Sequence, residues 1–503
     1  MTKHLVVLSD LHLWQATDHD SLWMRYRHRR FLPDAQIAEL LALLCQQIPD
    51  GDLELVLNGD IFDFDIPPVV DGHAVPMPTP RTEPAAVERL QLILDDHALF
   101  LRALAVLLIR RHRVVFVPGN HDLQLTFPLA RSLLAQRILL ACQELEPTWS
   151  AESLAEQLAI HPWFYQTRHG VHIEHGNQYD PLCSVADPVW PLRIDGSLQT
   201  NVGALALEHL IGKLGYFNPN VESSFLLTTR EYFDHWVRYY MRTPRSLVGT
   251  FVMGALRVIG ELIAAYGLLG PTQRAVELQS AEEAAHTTLF ALTDLRAAMR
   301  VLYVDRVLML AATALTALLF WLWAPLGVLG LLATVALHRS LRPRGASDLT
   351  AIAAGVARSA RLLARIYGAR AVLFGHTHQA AGQWEADVFY GNSGTWVPQY
   401  HDVACSIPIE ESRPFIWLRE EGSQLEGGLY RFHDGKLHLA SEPRPQHPPP
   451  AGQTQSSGPQ SQPQPQPDPH SHSASPEKSS PKSRLYVRPA FMYDETGTLR
   501  ESR

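Results

Sequence analysis

The 503-residue sequence predicts an α/β fold interrupted by a long helical insertion. Six short β-rich runs each end in a polar loop: "HLVVLSDLH", "LELVLNGDIFD", "RVVFVPGNHD", "VHIEHGNQYD", "RAVLFGHTHQ" and "VFYGNSGTW". Helical patterns with apolar residues at i, i+3 and i+4 separate the first of them, as from Pro33 to Cys45 and from Val87 to Arg110. From about Pro181 to Arg370 the strand series stops, and one run there carries about 31 consecutive uncharged residues. Strands alternating with helices imply an α/β core, and the gap implies an insertion between two of its strands.

Composition narrows the function. A formal net charge of -8 argues against a nucleic-acid binder, and no nucleic acid is expected as a partner. The four cysteines, Cys45, Cys142, Cys183 and Cys405, have no metal-finger or disulfide-framework spacing, which fits a reducing cytoplasm. The opening "MTKHLVVLSDLHLW" has only a short apolar run before Ser9 and Asp10, unlike an export signal. It is expected to be a buried first strand that delivers Asp10 to a site.

The strand ends carry the chemistry. Asp10 and His12 follow the first strand, Asp60 and Asp63 the second, and Asn120, His121 and Asp122 the third. His175 follows the fourth, and His376 and His378 the fifth. Carboxylates mixed with imidazoles suit borderline divalent metals, and the set is too large for one ion, so two are expected. The i, i+2 spacing of "DLH" and "HTH" puts both side chains on one side of an extended segment. Glycine before Asp60, Asn120 and His376 permits tight turns and close backbone approach. His172 shares a strand with His175 but has the opposite phase, so only one of them can face the site. Asp63 reads equally well as a ligand or as a group behind the ligands.

The ordered set "SDLH", "GDIFD", "GNHD", "EHGN" and "GHTH" resembles the calcineurin-like metallophosphoesterase family, over about residues 3 to 180 and 365 to 440. The resemblance implies a four-layer α/β/β/α sandwich with two mixed sheets. It implies that Asp10, His12 and His378 hold a first metal, that Asp60 bridges, and that Asn120, His175 and His376 hold a second. His121 would contact the scissile phosphate and protonate the leaving oxygen, with Asp122 orienting it. Asn392 and Gly394 would be structural. The implied reaction is hydrolysis of a phosphomonoester, phosphodiester or pyrophosphate by a hydroxide activated between two divalent ions, Mn²⁺ first, with Fe²⁺, Zn²⁺ or Ni²⁺ as alternatives. "SDLHL" is similar to members that cleave the pyrophosphate of UDP-2,3-diacylglucosamine, from which this chain departs in carrying His121 where they have arginine. A scaffold that keeps the fold without turnover is the rival reading, and no ligand position is missing to favour it.

The domain reading follows: residues 1–180 and 365–440 as one discontinuous domain, 181–364 as a helical insertion, and 441–503 as a disordered Pro-, Ser- and Gln-rich tail. Residues 307–337 exceed the roughly 20 residues that span a bilayer as a helix. Because Asp60 and His376 must share one centre, the number of crossings between them is even. Either 307–337 turns back at "WAPLG" as a hairpin, or 247–269 supplies a second crossing that contains Arg257 and Glu261. Arg296, Arg300, Arg306, Arg339, Arg342 and Arg344 flank the run on both sides, as expected of cytoplasmic ends at the inner membrane. The expected partners are therefore a membrane and a phosphoester substrate, with a lipid-linked one favoured by the location. "WMRYRHRRF" at 23–31 is either an anion grip or a solvated basic face, and "HWVRYYMRTPR" at 235–245 either an interfacial or a packed helix.

Overall fold

The computed structural model describes residues 3–210 (without 71–72 and 76), 215–216, 218, 234, 236–241, 253–262, 280–290, 298, 302, 304–341, 349–442 (without 410–411 and 423), 491–493 and 499–501. The expectation of a disordered tail therefore falls almost wholly outside the described residues.

Two sheets form the core. Their strands are β1 (His4–Leu8), β2 (Leu53–Asn58), β3 (Arg113–Val117), β4 (Leu158–Ile160), β5 (Phe164–Gln166), β6 (Val171–Glu174), β7 (Ala371–Phe374), β8 (Ala381–Glu385), β9 (Val388–Asn392), β10 (Arg413–Glu421), β11 (Gln424–His433) and β12 (Lys436–Leu439). The first sheet runs β12-β11-β10-β1-β2-β3-β4 and the second β8-β9-β7-β6-β5. Strands β1 to β4 pair in parallel, and β10 joins β1 antiparallel, so the first sheet is mixed. In the second, β6, β7 and β9 are parallel and the edge strands antiparallel.

The period-2 pattern of each strand assigns its faces. Leu5 and Val7 of β1 and Val56 of β2 meet Val171, Ile173, Ala371 and Leu373 of the second sheet in an inter-sheet layer. Val6 and Leu8, with Leu53, Leu55 and Leu57, turn to the other side. There they pack under α1 (Asp34–Gln47), α2 (Glu83–Asp96), α3 (Ala98–Ile109) and α4 (Pro128–Leu145). The expected single helix from Val87 to Arg110 is two helices. It breaks at His97, whose buried imidazole is held by Asp34 at 2.9 Å and the Trp14 carbonyl at 3.0 Å.

The outer face of the second sheet, Val372 and Phe374, is covered by Val356, Ala360, Leu363 and Ala364. These belong to a helix at Leu349–Tyr367, so the expected domain boundary at 365 falls inside an element of the sandwich. Strands β6 and β7 are neighbours in parallel register, Val171 beside Ala371, with residues 175–370 as the crossover. The carboxyl ends of both strands therefore lie at one edge of the sheet.

Within the crossover, α5 (Ala151–Gln157) having closed the first half, α6 (Val202–His209) packs with Ala255, Val258 and Leu262. Glu261 pairs with Arg81 at 3.2 Å and His209 at 2.5 Å. Of 247–269 only 253–262 is described; one face packs against α6 and Glu261 is paired, while Met253 and Leu256 are exposed, and this packing weighs against the alternative of a crossing there. Next come α7 (Ala281–Thr287), α8 (Val304–Leu322), α9 (Ala324–Leu341) and α10 (Leu349–Tyr367). The uncharged run forms α8 and α9, which pair as a hairpin through Thr316 and Thr334 at 2.9 Å. Gly327 lies where any side chain would strike the Phe320 ring, so small residues set the close approach. Pro325 sits in the first turn of α9, where a missing N–H is harmless, and Trp323 joins the helices. The second arm is longer than the sequence pattern suggested, because it continues through His338 to Leu341. Leu310, Trp321, Trp323, Leu329 and Leu332 point into solvent at 60% or more exposure.

Candidate metal centre

The strand-end loops of the two sheets converge. The loop after β1 runs beside that after β2 through Asp10 N to Gly59 O at 3.0 Å and His12 N to Asp60 O at 2.9 Å. The loop after β7 joins them when the His376 N–H donates to the Asp10 carboxylate at 3.1 Å. Asn392 fastens that loop through Gly375 O at 2.6 Å. Five of the converging residues adopt left-handed backbone: Asp10 (φ 53°), His12 (44°), Asp60 (53°), His376 (67°) and His378 (57°). Such conformations cost free energy in non-glycine residues and cluster at functional sites.

Two donor sets result. Asp10, His12 and His378 each place a donor atom within 4.8 Å of the others, and so do Asp60, His175 and His376. In the first set, His378 Nε2 is 3.2 Å from Asp10 Oδ1 and 3.1 Å from His12 Nε2. Two imidazole nitrogens so close need a proton or a cation between them. His12 Nδ1 is 3.1 Å from Asp63 Oδ2, which fixes the tautomer and leaves Nε2 free to accept a cation. In the second set, His175 Nδ1 donates to the Asn58 carbonyl at 3.0 Å and Nε2 faces Asp60 Oδ2 at 3.0 Å. Asp60 Oδ2 also lies 3.9 Å from His12 Nε2, so this carboxylate stands between the two sets.

The donor chemistry fits two divalent cations, and one orphaned atom agrees: Asn120 Oδ1 is buried without a hydrogen-bond partner. The electrostatics point the same way. Burial works against a charged His175, but Asp60 and Asp10 outweigh it and push its pKa up to about 9. A field that draws a proton to that nitrogen also draws a metal ion. His378 is raised against its burial by Asp10, whereas burial dominates at His12 and lowers it.

His121 lies at the rim, its N–H donating to Asp60 Oδ1 at 2.8 Å. Its Nδ1 faces Asp65 Oδ2 at 3.1 Å and Asp63 Oδ1 at 3.4 Å. Burial opposes the imidazolium, yet Asp60, Asp63 and Asp65 hold its pKa well above the ordinary range. Asp122, expected to orient His121, is directed elsewhere. Its carboxylate accepts from the backbone N–H groups of Gly119 at 2.6 Å, Ile61 at 2.8 Å, and Asp60 and Phe62 at 3.3 Å. It clamps the two loops that carry Asp60 and Asn120, because four converging amides are the donors within its reach.

Two residues were not read from the sequence. Asp65 accepts from Thr79 at 3.0 Å while facing His121, and Asp180 accepts at 3.0 Å from, or pairs with, His376 Nε2. The alternation Asp63, Asp65 and the closing aspartate of "EHGNQYD" were the only signals. The "WMRYRHRRF" segment forms two short turns in which Arg25 meets Asp20, Arg29 meets Asp18 and Asp96, and Arg27 is buried on backbone carbonyls. These pairings favour the structural reading of that cluster. Of 235–245 only 236–241 is described, as a single wide helical turn.

Gly119 gives the first prediction. A Cβ there would collide with the Asp60 carboxylate and lie 2.7 Å from the His175 ring. Gly119→Ala is therefore expected to lower metal retention at least about tenfold, as outer groups around a metal do. Equilibrium dialysis with Mn²⁺ checks it.

Carboxylates and imidazoles carried by the strand-end loops of both sheets thus meet in one place, a donor set suited to divalent metals. Residues 3–195 match the calcineurin-like phosphoesterase family model, a family that implies a metal-dependent hydrolase. The crystal structure of a Vps29 double mutant from Entamoeba histolytica is 19% identical, with a TM-score of 0.13. That match covers 16% of this chain and 42% of the other, so it spans less than half of the relative's length. Among curated proteins none matches.

Proposed function

We propose that the chain hydrolyses a phosphoester at a two-cation centre, with Asp10, His12 and His378 holding one ion and Asn120, His175 and His376 the other. Asp60 is shared between them. The observation that supports this most is the meeting of residues from both sides of the insertion in two overlapping donor sets. Divalent ions held there would supply an activated water and neutralise charge on the phosphoryl oxygens. The chain's own residues do the rest. Asn58 and Asp63 fix the tautomers of His175 and His12. Asp63 and Asp65 keep His121 protonated and turned towards the centre, ready to give a proton to the leaving oxygen. Asp122 keeps the two loops in register. The test is hydrolysis of a p-nitrophenyl phosphodiester by the purified full chain with Mn²⁺. Turnover that chelation removes supports the reading, and no metal-dependent turnover on any phosphoester in a nucleotide and lipid screen overturns it.

We further propose that α8 and α9 insert into the cytoplasmic face of a membrane. The support is their exposed apolar surface and their lengths of 19 and 18 residues, roughly 28 and 27 Å. Their hairpin path also fits an insertion whose two ends return to one sheet edge. A lipid-linked phosphoester is the substrate class this placement favours. Deleting 304–341 is expected to move the protein from the membrane to the soluble fraction on ultracentrifugation. A full-length chain already soluble without detergent contradicts the insertion.

A further inference from the structure

His172 faces away from the centre just described. It shares a phase with Glu174, so the two side chains stand on the outer face of the second sheet, on the opposite side from Val171 and Ile173. There they meet His286, from α7 of the insertion. His172 Nε2 lies 3.3 Å from Glu174 Oε1, and His286 Nε2 lies 3.4 Å from Glu174 Oε2. The Tyr179 hydroxyl is 2.6 Å from Glu174 Oε1 and 2.8 Å from His286 Nε2. All three candidate ligands are at most 1% exposed.

We propose that His172, Glu174 and His286, with the Tyr179 hydroxyl beside them, form a structural binding site for a borderline divalent cation of the zinc type. This inference does not rest on the phosphoesterase reading. Glu174 is buried among two imidazoles and the Tyr179 hydroxyl, and among the described residues neither lysine nor arginine pairs with it. Two imidazoles and a carboxylate are a common ligand set for zinc. One donor atom from each of the three residues lies within 4.8 Å of the others, and the two imidazoles approach the two different oxygens of Glu174 at 3.3 and 3.4 Å. The outer groups are in place as well. His286 Nδ1 is 3.0 Å from the Tyr367 hydroxyl, and Nε2, which also meets the Tyr179 hydroxyl, is the nitrogen turned to Glu174. The Gln166 amide is 3.4 Å from His172 Nδ1, and after an amide flip its carbonyl would accept that proton. Rings of Trp163, Phe164, Phe290 and Tyr367 pack around His286 and exclude water. An ion here would tie α7 to β6 and α10, and so fasten the insertion to the sheet that carries His175.

The test is zinc content per folded chain after loading and exhaustive dialysis, with the fold followed by circular dichroism. Three equivalents are expected in the full-length protein and two in His286→Gln. A chain carrying Asp60→Asn, His376→Ala and His378→Ala, which clears the other centre, is expected to keep one. Equal zinc in the full-length protein and a folded His286→Gln would overturn the proposal in favour of a buried imidazolium–carboxylate pair. If His286→Gln does not fold, the cleared chain decides: one retained zinc supports the site and none overturns it. Failure of the phosphoesterase centre alone would read differently, as one equivalent in both the full-length and the cleared chain.

Discussion

Asp60→Asn is expected to abolish metal-dependent hydrolysis, lowering kcat/KM by roughly 10³-fold or more. Asp60 is 1% exposed and stands between the two donor sets, with His175 Nε2 at 3.0 Å on one side and His12 Nε2 at 3.9 Å on the other. Burial favours its neutral form, but His175 and His121 hold its pKa well below the ordinary carboxylate range, so the native residue is an anion. Asparagine preserves the volume and can still accept from the His121 N–H, so the fold is expected to survive. It removes the negative charge that two cations would share. Losing a cation's contribution to the transition state is worth several kcal/mol, and each ~1.36 kcal/mol is tenfold in rate. Steady-state kinetics with Mn²⁺, alongside metal content by dialysis, checks both halves. A folded Asp60→Asn chain within tenfold of the parent would count against the assignment.

His121→Asn is expected to slow hydrolysis of an alkyl phosphodiester by about 10²–10⁴-fold, the range for loss of a general acid. The same change is expected to cost much less on a p-nitrophenyl ester, whose leaving group needs little help from a proton. His121 is tied to Asp60 through its backbone and to Asp63 and Asp65 through Nδ1, and these carboxylates keep it charged. A residue that only shaped the pocket would slow both substrates equally. Comparing kcat on the two leaving groups separates the cases.

Much of this centre was legible in the sequence because strand ends announce themselves. A short apolar run stopped by Gly-Asp, Gly-Asn or Gly-His fixes where the chain leaves a sheet, and the parallel register of β6 with β7 brings distant runs to one edge. Strand phase also separated His175 from His172, which the structure places on opposite sides. What could not be read was what each carboxylate meets. Asp122 looked like a partner for the adjacent His121, but backbone amides 60 to 62 and 119 claim it. Asp65, Asp180 and His286 were missed because their partners lie far along the chain, and sequence spacing carries no information about such pairs. The break at His97 depends on a buried contact with Asp34, which overrides a continuous helical pattern. The end of the insertion was misplaced for a similar reason. The amphipathic Leu349–Tyr367 helix belongs to the sandwich by what it covers, and its own residues look like any surface helix.

The most direct measurement compares Mn²⁺-dependent phosphodiester hydrolysis in the full chain, in Asp10→Asn and in His378→Ala. These residues lie on opposite sides of the insertion, yet their side chains are 3.2 Å apart. Metal-dependent turnover is expected in the full chain, and its loss in each variant. The double variant should be little worse than either single one, as for groups that act as a unit. Turnover that survives in a folded His378→Ala chain while Asp10→Asn is inactive would contradict a single centre built from both halves.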